Sequence, residues 1–460
     1  VAINCYDILY GIAATASAPL WLLHPRARRK VFAALEQRMG RESFQRGSGP
    51  GVFIHAVSLG EINATRTLVS ELRARRPGLR FVISATTEAG FDRGISLYGS
   101  EPDVAVIRYP LDLSAAVQRT LAAARPDVVV LMELEVWPNF VARCARQGIP
   151  VLLVNGRLTE TSFGRYRLIK PLVATTFRRL WRLCVQDEVY RDRFIALGCN
   201  PDRVIVTGTM KFDSAALGST ADAPTLAKIS NEMGLGGGPV WVCGSTGPGE
   251  EKLLLDVYRR LLGEVPTLQL VLVPRKPERF EEVAALIQGA GFVALRRSHV
   301  KSGKVNAAAA VAAAHGDSPV VLIDSLGELR DFYALATVVF VGRSLLDLGP
   351  RQHGSDMIEP AALGKPIVVG PFTSNFADAM TQFRRSSAVA EVADAPALFA
   401  ATLTLLKNPS AAATTGAAAK EVTQAQRGAS ARHADAILAA MDATNSPATA
   451  STAAAGHSAS

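Results

Sequence analysis

At 460 residues the chain is too long for one ordinary core, so two domains are the expectation. Its 48% hydrophobic and 20% charged content is that of a globular chain, and its five cysteines, odd in number and without a CxxC pair, argue against a disulfide scaffold or a structural zinc site and suit a reducing compartment. The +9 formal charge is uneven: residues 1–220 hold 29 Lys/Arg, 26 of them Arg, against 19 Asp/Glu, and residues 221–460 hold 21 against 22, so the basic half is either a solvated surface or the side that meets an anionic partner.

In chain order, residues 1–24 come first. Their only charge is Asp7, and the uncharged stretch Ile8–Leu23 is 16 residues long, short of the roughly 20 that span a bilayer. The cations of "HPRARRK" follow the apolar part, the reverse of a signal peptide. A helix lying on an anionic membrane surface fits this order of residues. A core helix is the plain alternative.

Residues 25–210 are the first domain, and from 52 to 210 they alternate apolar runs ("VFIHAVS", "RFVISATT", "VAVIRYP", "DVVVLME", "VLLVNG", "RLCVQD", "VIVTGT") with helical or turn-rich stretches. Continuous apolar runs of this length predict strands of a parallel sheet covered on both faces. Residues 211–239 lack strong strands, end in GGG and read as a linker. Residues 240–394 repeat the pattern ("PVWVCGST", "QLVLVPR", "FVALRR", "PVVLIDS", "VVFVGRS", "PIVVGP") around a variable loop, Lys301–Ser318. Alanine-rich helices at 395–441 are expected to close this second domain, and 442–460 to form a disordered tail. The fold class is therefore α/β, with two doubly wound Rossmann-like domains, an N-terminal apolar membrane-contact helix and a cleft lined by the carboxyl ends of the strands.

Chemistry-bearing residues gather at those strand ends. Glu61 follows "VFIHAVSLG" at the start of a helix, where the dipole favours a carboxylate and a base can face a substrate hydroxyl. An acid in a first helical turn is also ordinary helix chemistry. Ser58 and Gly60 just before it allow capping and close ligand approach. "MELEVWPN" places Glu133 and Glu135 at i and i+2, on one side if extended. "NGRLTETS" places Arg157 on a loop suited to an anion, or to a salt bridge. In the second half, "CGSTGPGEE" is a glycine-rich turn containing Ser245, and it lacks the GK[ST] of a Walker loop. "VPRKPERF" presents Pro274, Arg275 and Lys276, and "DSLGEL" presents Gly327 and Glu328. "HGSDMIEPAALGKPIVVGP" presents Gly354, Ser355, Asp356 and Glu359 at a turn opening a helix. Together these loops describe a site for a nucleotide-like donor. No metal-ligand spacing and no aromatic-interleaved basic stretch for nucleic acid is present in the sequence.

Eight stretches, "HAVSLGE", "MELEVWPN", "NGRLTETS", "VTGTMKFD", "GSTGPGEE", "VPRKPERF", "DSLGEL" and "SDMIEPAALGKPIVVGP…NF", occur in the order found in bacterial 3-deoxy-D-manno-octulosonic acid (Kdo) transferases. The chain resembles that family over about residues 5–440. The resemblance implies the GT-B fold and a metal-independent, inverting transfer that needs no cofactor. It implies CMP-Kdo as donor and a lipid A precursor as acceptor, at the cytoplasmic face of the inner membrane, in lipopolysaccharide inner-core synthesis. It makes Glu61 the general base, with Ser58, Gly60, Glu133, Glu135 and Arg157 on the acceptor side. The CMP phosphate is then expected at Arg275, Lys276, Gly354, Ser355 and Ser245, and the base and ribose at Gly327, Glu328 and Glu359. The sequence departs from the commoner pattern at His353–Asp356, where "GGHN" is usual. An aspartate at 356 would repel a phosphate. It also departs at Lys276 (usually histidine), at Gly247 (usually the histidine of "GSTH") and at Leu134 (usually the threonine of "ETE"). The rival readings are another GT-B glycosyltransferase or a nucleotide-sugar epimerase with a UDP-type donor, and a non-catalytic scaffold on anionic lipid. A scaffold would need none of Glu61, Arg275 and Glu359.

Overall fold

The computed structural model describes residues 4–22, 34–41, 48–217, 220–306, 319–349 and 352–445. The chain forms two compact units, one from residues 1–214 and 428–460, the other from 215–427.

The first unit is a seven-stranded parallel sheet in the order β3-β2-β1-β4-β5-β6-β7. Its strands are β1 (Gly51–His55), β2 (Arg80–Ala85), β3 (Val104–Arg108), β4 (Val128–Met132), β5 (Val151–Gly156), β6 (Arg182–Val185) and β7 (Val204–Val206). All seven fall on the runs read as strands. β1, β2, β4 and β5 are buried along their whole length, which is why their sequences do not alternate. One core lies on each face. The strand order reverses between β1 and β4, and a ligand site of a doubly wound sheet lies at that switch point, beyond the carboxyl ends.

The second unit repeats the plan in the order β10-β11-β9-β8-β12-β13-β14. These strands are β8 (Val240–Thr246), β9 (Gln269–Pro274), β10 (Ala294–Arg296), β11 (Val320–Leu322), β12 (Val338–Val341), β13 (Ile367–Val369) and β14 (Ala390–Glu391). Here the reversal falls between β8 and β12.

The expected linker and closing segment are apportioned differently by the structure. The stretch 211–239 contains two helices, Lys211–Leu217 and Ala223–Glu232. The stretch 395–441 divides between the units: helices Ala395–Lys407 and Pro409–Ala425 belong to the second, and Ala429–Asn445 to the first. Ala434, Ile437, Ala440 and Met441 enter the same core as Ile62, Leu68 and Val130. Asp213, in "VTGTMKFD", receives this returning helix by accepting from the N–H groups of Gly428 (2.7 Å) and Ser430 (2.6 Å).

The N-terminal helix runs Cys5–Leu22. Asp7 accepts from Ser114 N–H (2.8 Å), Asn4 donates to the Asn139 side chain (2.7 Å) and Tyr10 donates to Asp112 (3.1 Å). Ile8, Leu9 and Ile12 are exposed. No helix among the described residues is long and apolar enough to cross a membrane. The cations of "HPRARRK", most of the loop 301–318 and nearly all of the tail 442–460 lie outside the described residues.

Candidate active site

In the first unit the switch-point strands deliver Glu61 and Glu133. β1 ends at His55, and Ser58 caps the helix Leu59–Arg75 by accepting from Glu61 N–H. The bond is reciprocated: Ser58 Oγ donates to Glu61 Oε1 at 2.8 Å, and Val57 N–H donates to Oε2 at 3.0 Å. This is a variant of the capping box, with Val57 N–H and the Ser58 hydroxyl in place of the Ser58 N–H, and it fixes the carboxyl group at the strand end. Burial pushes the Glu61 carboxyl up to about 7, the nearby Glu133 charge pushes the same way, and the bonds from Val57 and Ser58 restrain the rise. A carboxylate poised near neutral pH suits proton transfer.

Glu133 follows β4 directly. Its φ of +54° is in the left-handed region, so Glu133 and Glu135 do not share one side of an extended segment as the i, i+2 spacing predicts. Glu133 N–H donates to Val154 O (3.0 Å), which aligns the loop with β5, and Arg157 N–H donates to Glu133 O (3.4 Å). Glu135 turns to the Trp137 indole N–H (3.1 Å), and burial raises its pKa. Glu61 and Glu133 are therefore brought together, and Glu135 is held by its neighbour. Gly60 is exposed on the first turn of the Glu61 helix.

In the second unit the loops after β8, β9 and β12 converge with the turn at 354–359. Ser245 (φ +55°) and Arg343 (φ +59°) follow or end the two switch-point strands. Non-glycine residues in this region carry about 1–3 kcal/mol of strain and concentrate at functional sites. The strain is held by Glu250, a fully buried carboxylate that accepts from Gly247 N–H (2.8 Å), Arg343 N–H (2.6 Å), Ser344 N–H (2.9 Å) and Leu345 N–H (2.9 Å). It ties the β8 loop to the β12 loop. Its neighbour Glu251 accepts both arms of Arg279 (2.6 and 2.9 Å) and the Thr246 hydroxyl (2.7 Å). The acids of "GPGEE" thus hold the loops after β8 and β12 and the Arg279 side chain in place.

Ser355 Oγ donates to Ser245 O (3.2 Å), and Gly354 N–H to Arg343 O (2.6 Å). Gly354 has φ +82° and backs onto the Thr373 backbone, so no other residue fits there without strain. Arg275 stands exposed at the end of β9, after the buried Pro274. Arg343 is half-buried, and burial together with the Arg275 charge lowers its pKa. Two guanidinium groups repelling one another at strand ends form a ready anion site. Glu359 lies nearby: burial and Asp356 raise its carboxyl to about 7, against Arg330 and Arg275. The helix it opens, Ile358–Ala362, is a single short turn, and Asp356 caps its Ile358 N–H (2.9 Å). That bond gives the departure from "GGHN" a local role.

Glu328 stands at the start of the helix Leu329–Leu335. Its carboxylate accepts from Arg297 (3.1 and 3.2 Å), pairs with Lys301 (3.0 Å) and also takes the Ser325 hydroxyl. Gly327 beside it is exposed with φ +87°, and Lys276 is exposed. Sequence reasoning missed Glu250, Arg343 and Tyr333. The Tyr333 hydroxyl is buried without a hydrogen-bond partner, against Gly244 and close in charge to Glu359. Glu250 and Arg343 stood inside quoted stretches, but only the fold shows where they point. Among the described residues no group of three or more His, Cys, Asp or Glu side chains is arranged to hold a metal ion.

The family model described as "3-Deoxy-D-manno-octulosonic-acid transferase (kdotransferase)" matches residues 33–214, which carry Glu61 and Glu133. The chain is similar to the Kdo transferase of Haemophilus influenzae, with 33% identity over 384 residues, 82% of this chain and 84% of that one. The chain belongs to the Kdo transferase family. It is therefore a glycosyltransferase that moves Kdo. The Bordetella pertussis Kdo transferase is also 33% identical, over 93% of this chain and 98% of its own. Among solved structures, the two units resemble GT-B proteins. One is a UDP-GlcNAc 2-epimerase from Neisseria meningitidis (TM-score 0.55, 14% identity, 85% of this chain and 99% of that one). Another is Anabaena HepE with UDP (TM-score 0.56, 12% identity, 85% and 100%). At such identities the likeness is one of fold alone.

Proposed function

We propose that this Kdo transferase moves Kdo from CMP-Kdo to the acylated glucosamine disaccharide of a lipid A precursor, with inversion, without a metal, and at the cytoplasmic face of the inner membrane. The observation that carries the reading is Glu61, a half-buried carboxyl held by Ser58 and Val57 N–H and raised to about 7. In the reaction the acceptor's primary hydroxyl oxygen bonds to the Kdo anomeric carbon. Its proton passes to Glu61, and the bond from that carbon to the CMP phosphate oxygen breaks, with its electron pair leaving on CMP. Arg275, Arg343 and the turn at Gly354–Ser355 favour the departing phosphate by charge and hydrogen bonding. Lys276 adds a cation, and Glu359 is the acceptor for ribose hydroxyls. The basic first half suits a phosphorylated acceptor on an anionic surface, and the exposed Ile8, Leu9 and Ile12 suit membrane contact by the N-terminal helix.

The test is transfer by the detergent-solubilised protein from CMP-Kdo, generated in situ, to a tetraacylated lipid A precursor with EDTA present. A product heavier by whole Kdo units, absent with Glu61→Ala, is the expected result, and its mass counts the units. Failure of wild type to form product while still binding CMP would overturn the acceptor or the sugar assignment. Turnover of a UDP-sugar instead would favour the epimerase-like reading that shares this fold.

A further inference from the structure

We propose that Arg330 and Tyr333 are positioning residues of the donor site, which donate to the Glu359 carboxylate and hold it toward the ribose hydroxyls of the bound nucleotide. This rests on the reading of Glu359 as the ribose acceptor and names what orients that acceptor. The starting point is two donors with nothing to donate to. The Tyr333 hydroxyl is fully buried without a hydrogen-bond partner, and Arg330 Nη1 is likewise buried without one. Buried polar atoms are nearly always paired, so each such orphan calls for an explanation. Both residues lie on the helix Leu329–Leu335, three apart and thus on one face. Glu359 is the group they share. Its Oε1 stands 3.8 Å from Arg330 Nη1, an ion pair too long for a hydrogen bond. Its charge is also the first of those acting on the Tyr333 hydroxyl, ahead of Asp356, Cys243 and Arg275.

Packing keeps both donors in place. Arg330 Nε donates to Thr220 Oγ1 (3.0 Å), and the neighbouring Asp331 accepts from Ala221 N–H (2.8 Å), so the stretch 220–221 clamps the start of the helix. The Tyr333 ring is seated on β8 at Gly244, where a Cβ would lie 2.1 Å from the hydroxyl oxygen. A side chain at 244 would drive that hydroxyl off its place, so glycine there admits it. The next residue, Ser245, begins the loop assigned above to the phosphate.

Charge gives the arrangement its use. Ribose hydroxyls donate, and an ionised carboxylate is the group that accepts two of them at once. Burial and Asp356 press Glu359 toward its neutral form, to about 7, while Arg330 and Arg275 press the other way. The helix Pro409–Ala425 also packs on Ile358–Ala362, and its two charges, Lys420 and Glu421, are exposed. A Glu359 carboxylate that turns to Nη1 and to the Tyr333 hydroxyl gains two hydrogen bonds to its ionised form. Its remaining lone pairs serve the nucleotide.

The experiment is calorimetric titration of the full chain with CMP and with 2′-deoxy-CMP, across the pH range around 7. The two share base and phosphate, so the ratio of their affinities isolates the 2′-hydroxyl and cancels the titration of the phosphate. For wild type the ratio should favour CMP by about 10-fold or more and rise with pH through about 7. Glu359→Gln should flatten that rise. Arg330→Gln removes a charge that favours the carboxylate, so it should move the rise to higher pH and lower the ratio at neutral pH about fivefold. Arg330→Lys keeps the charge and should restore most of it. Tyr333→Phe should also lower the ratio about fivefold. Its urea unfolding should match wild type, because the hydroxyl it removes has no partner to strand. Arg330→Gln and Tyr333→Phe that weaken both nucleotides alike, with the ratio and its pH midpoint unchanged, would overturn the proposal and leave the ribose reading of Glu359 standing. A wild type that binds CMP and 2′-deoxy-CMP equally would overturn the ribose reading itself, and the proposal with it.

Discussion

Glu61 receives opposing influences from its neighbours, and each can be removed separately. Burial and the Glu133 charge disfavour its ionised form, while Ser58 and Val57 N–H favour it. A base must be ionised to accept a proton, so transfer by the wild type should rise with pH through about 7. Glu133→Gln removes a like charge, lowers the Glu61 pKa and moves this acid limb to lower pH. Ser58→Ala removes a bond to the ionised form and moves the limb to higher pH. Glu61→Gln should lower kcat by a factor on the order of 100 to 10,000 and leave CMP binding unchanged. These shifts are read from kcat against pH. A limb that stays in place in both Glu133→Gln and Ser58→Ala would show that another group titrates.

At the scale of elements, two loops are held by one carboxylate. Glu250 supplies the acceptor for four backbone N–H groups from the β8 and β12 loops. Glu250→Ala strands those donors in a buried place, where each unsatisfied donor costs about 1–3 kcal/mol before water or relaxation offsets part of it. The net loss should be about 3–5 kcal/mol for the second unit, read from urea unfolding. CMP affinity should fall with it, because Arg343 and the turn at Gly247 lose their anchor. Wild-type CMP affinity in a destabilised variant would separate Glu250 from the site. The strands around these loops were legible because runs buried on both faces announce themselves in sequence. β14, only Ala390–Glu391, was too short to do so. Glu61 was legible because strand, cap and acid are contiguous. The ion pair of Glu328 was not legible, because its partner Arg297 is 31 residues away along the chain, and a loop acid reads the same whether it meets ligand or arginine.

At the scale of the whole chain, its last helix returns to close the first unit through a contact that no local pattern reveals. The helix Ala429–Asn445 is alanine-rich, and nothing in its composition says which sheet it covers. Its His433 accepts from Asn155 N–H at 2.7 Å through Nε2, with Nδ1 bonded to Ala429 O at 2.6 Å. Burial holds the imidazole neutral, with its pKa lowered to about 4, so the acceptor nitrogen is kept. Asn155 has φ +52° at the end of β5 and in turn accepts Met210 N–H (3.1 Å) through its side chain. The last helix therefore fastens the strand end from which Arg157 projects, and it fills the core beside Ile62 and Val130. Ile437 and Met441 at about 1.5–3 kcal/mol each, with the buried alanines beside them, make its face worth roughly 5–8 kcal/mol. That is comparable to the whole stability of a typical domain. A chain ending at Arg427 keeps every strand of both sheets, yet should leave the first unit unfolded or easily cleaved by protease, with the second unit still binding CMP. His433→Leu, a smaller perturbation, leaves Asn155 N–H without its acceptor and should cost the first unit about 1–3 kcal/mol. A truncated chain whose first unit resists protease as the full chain does would show that the sheet stands without its returning helix.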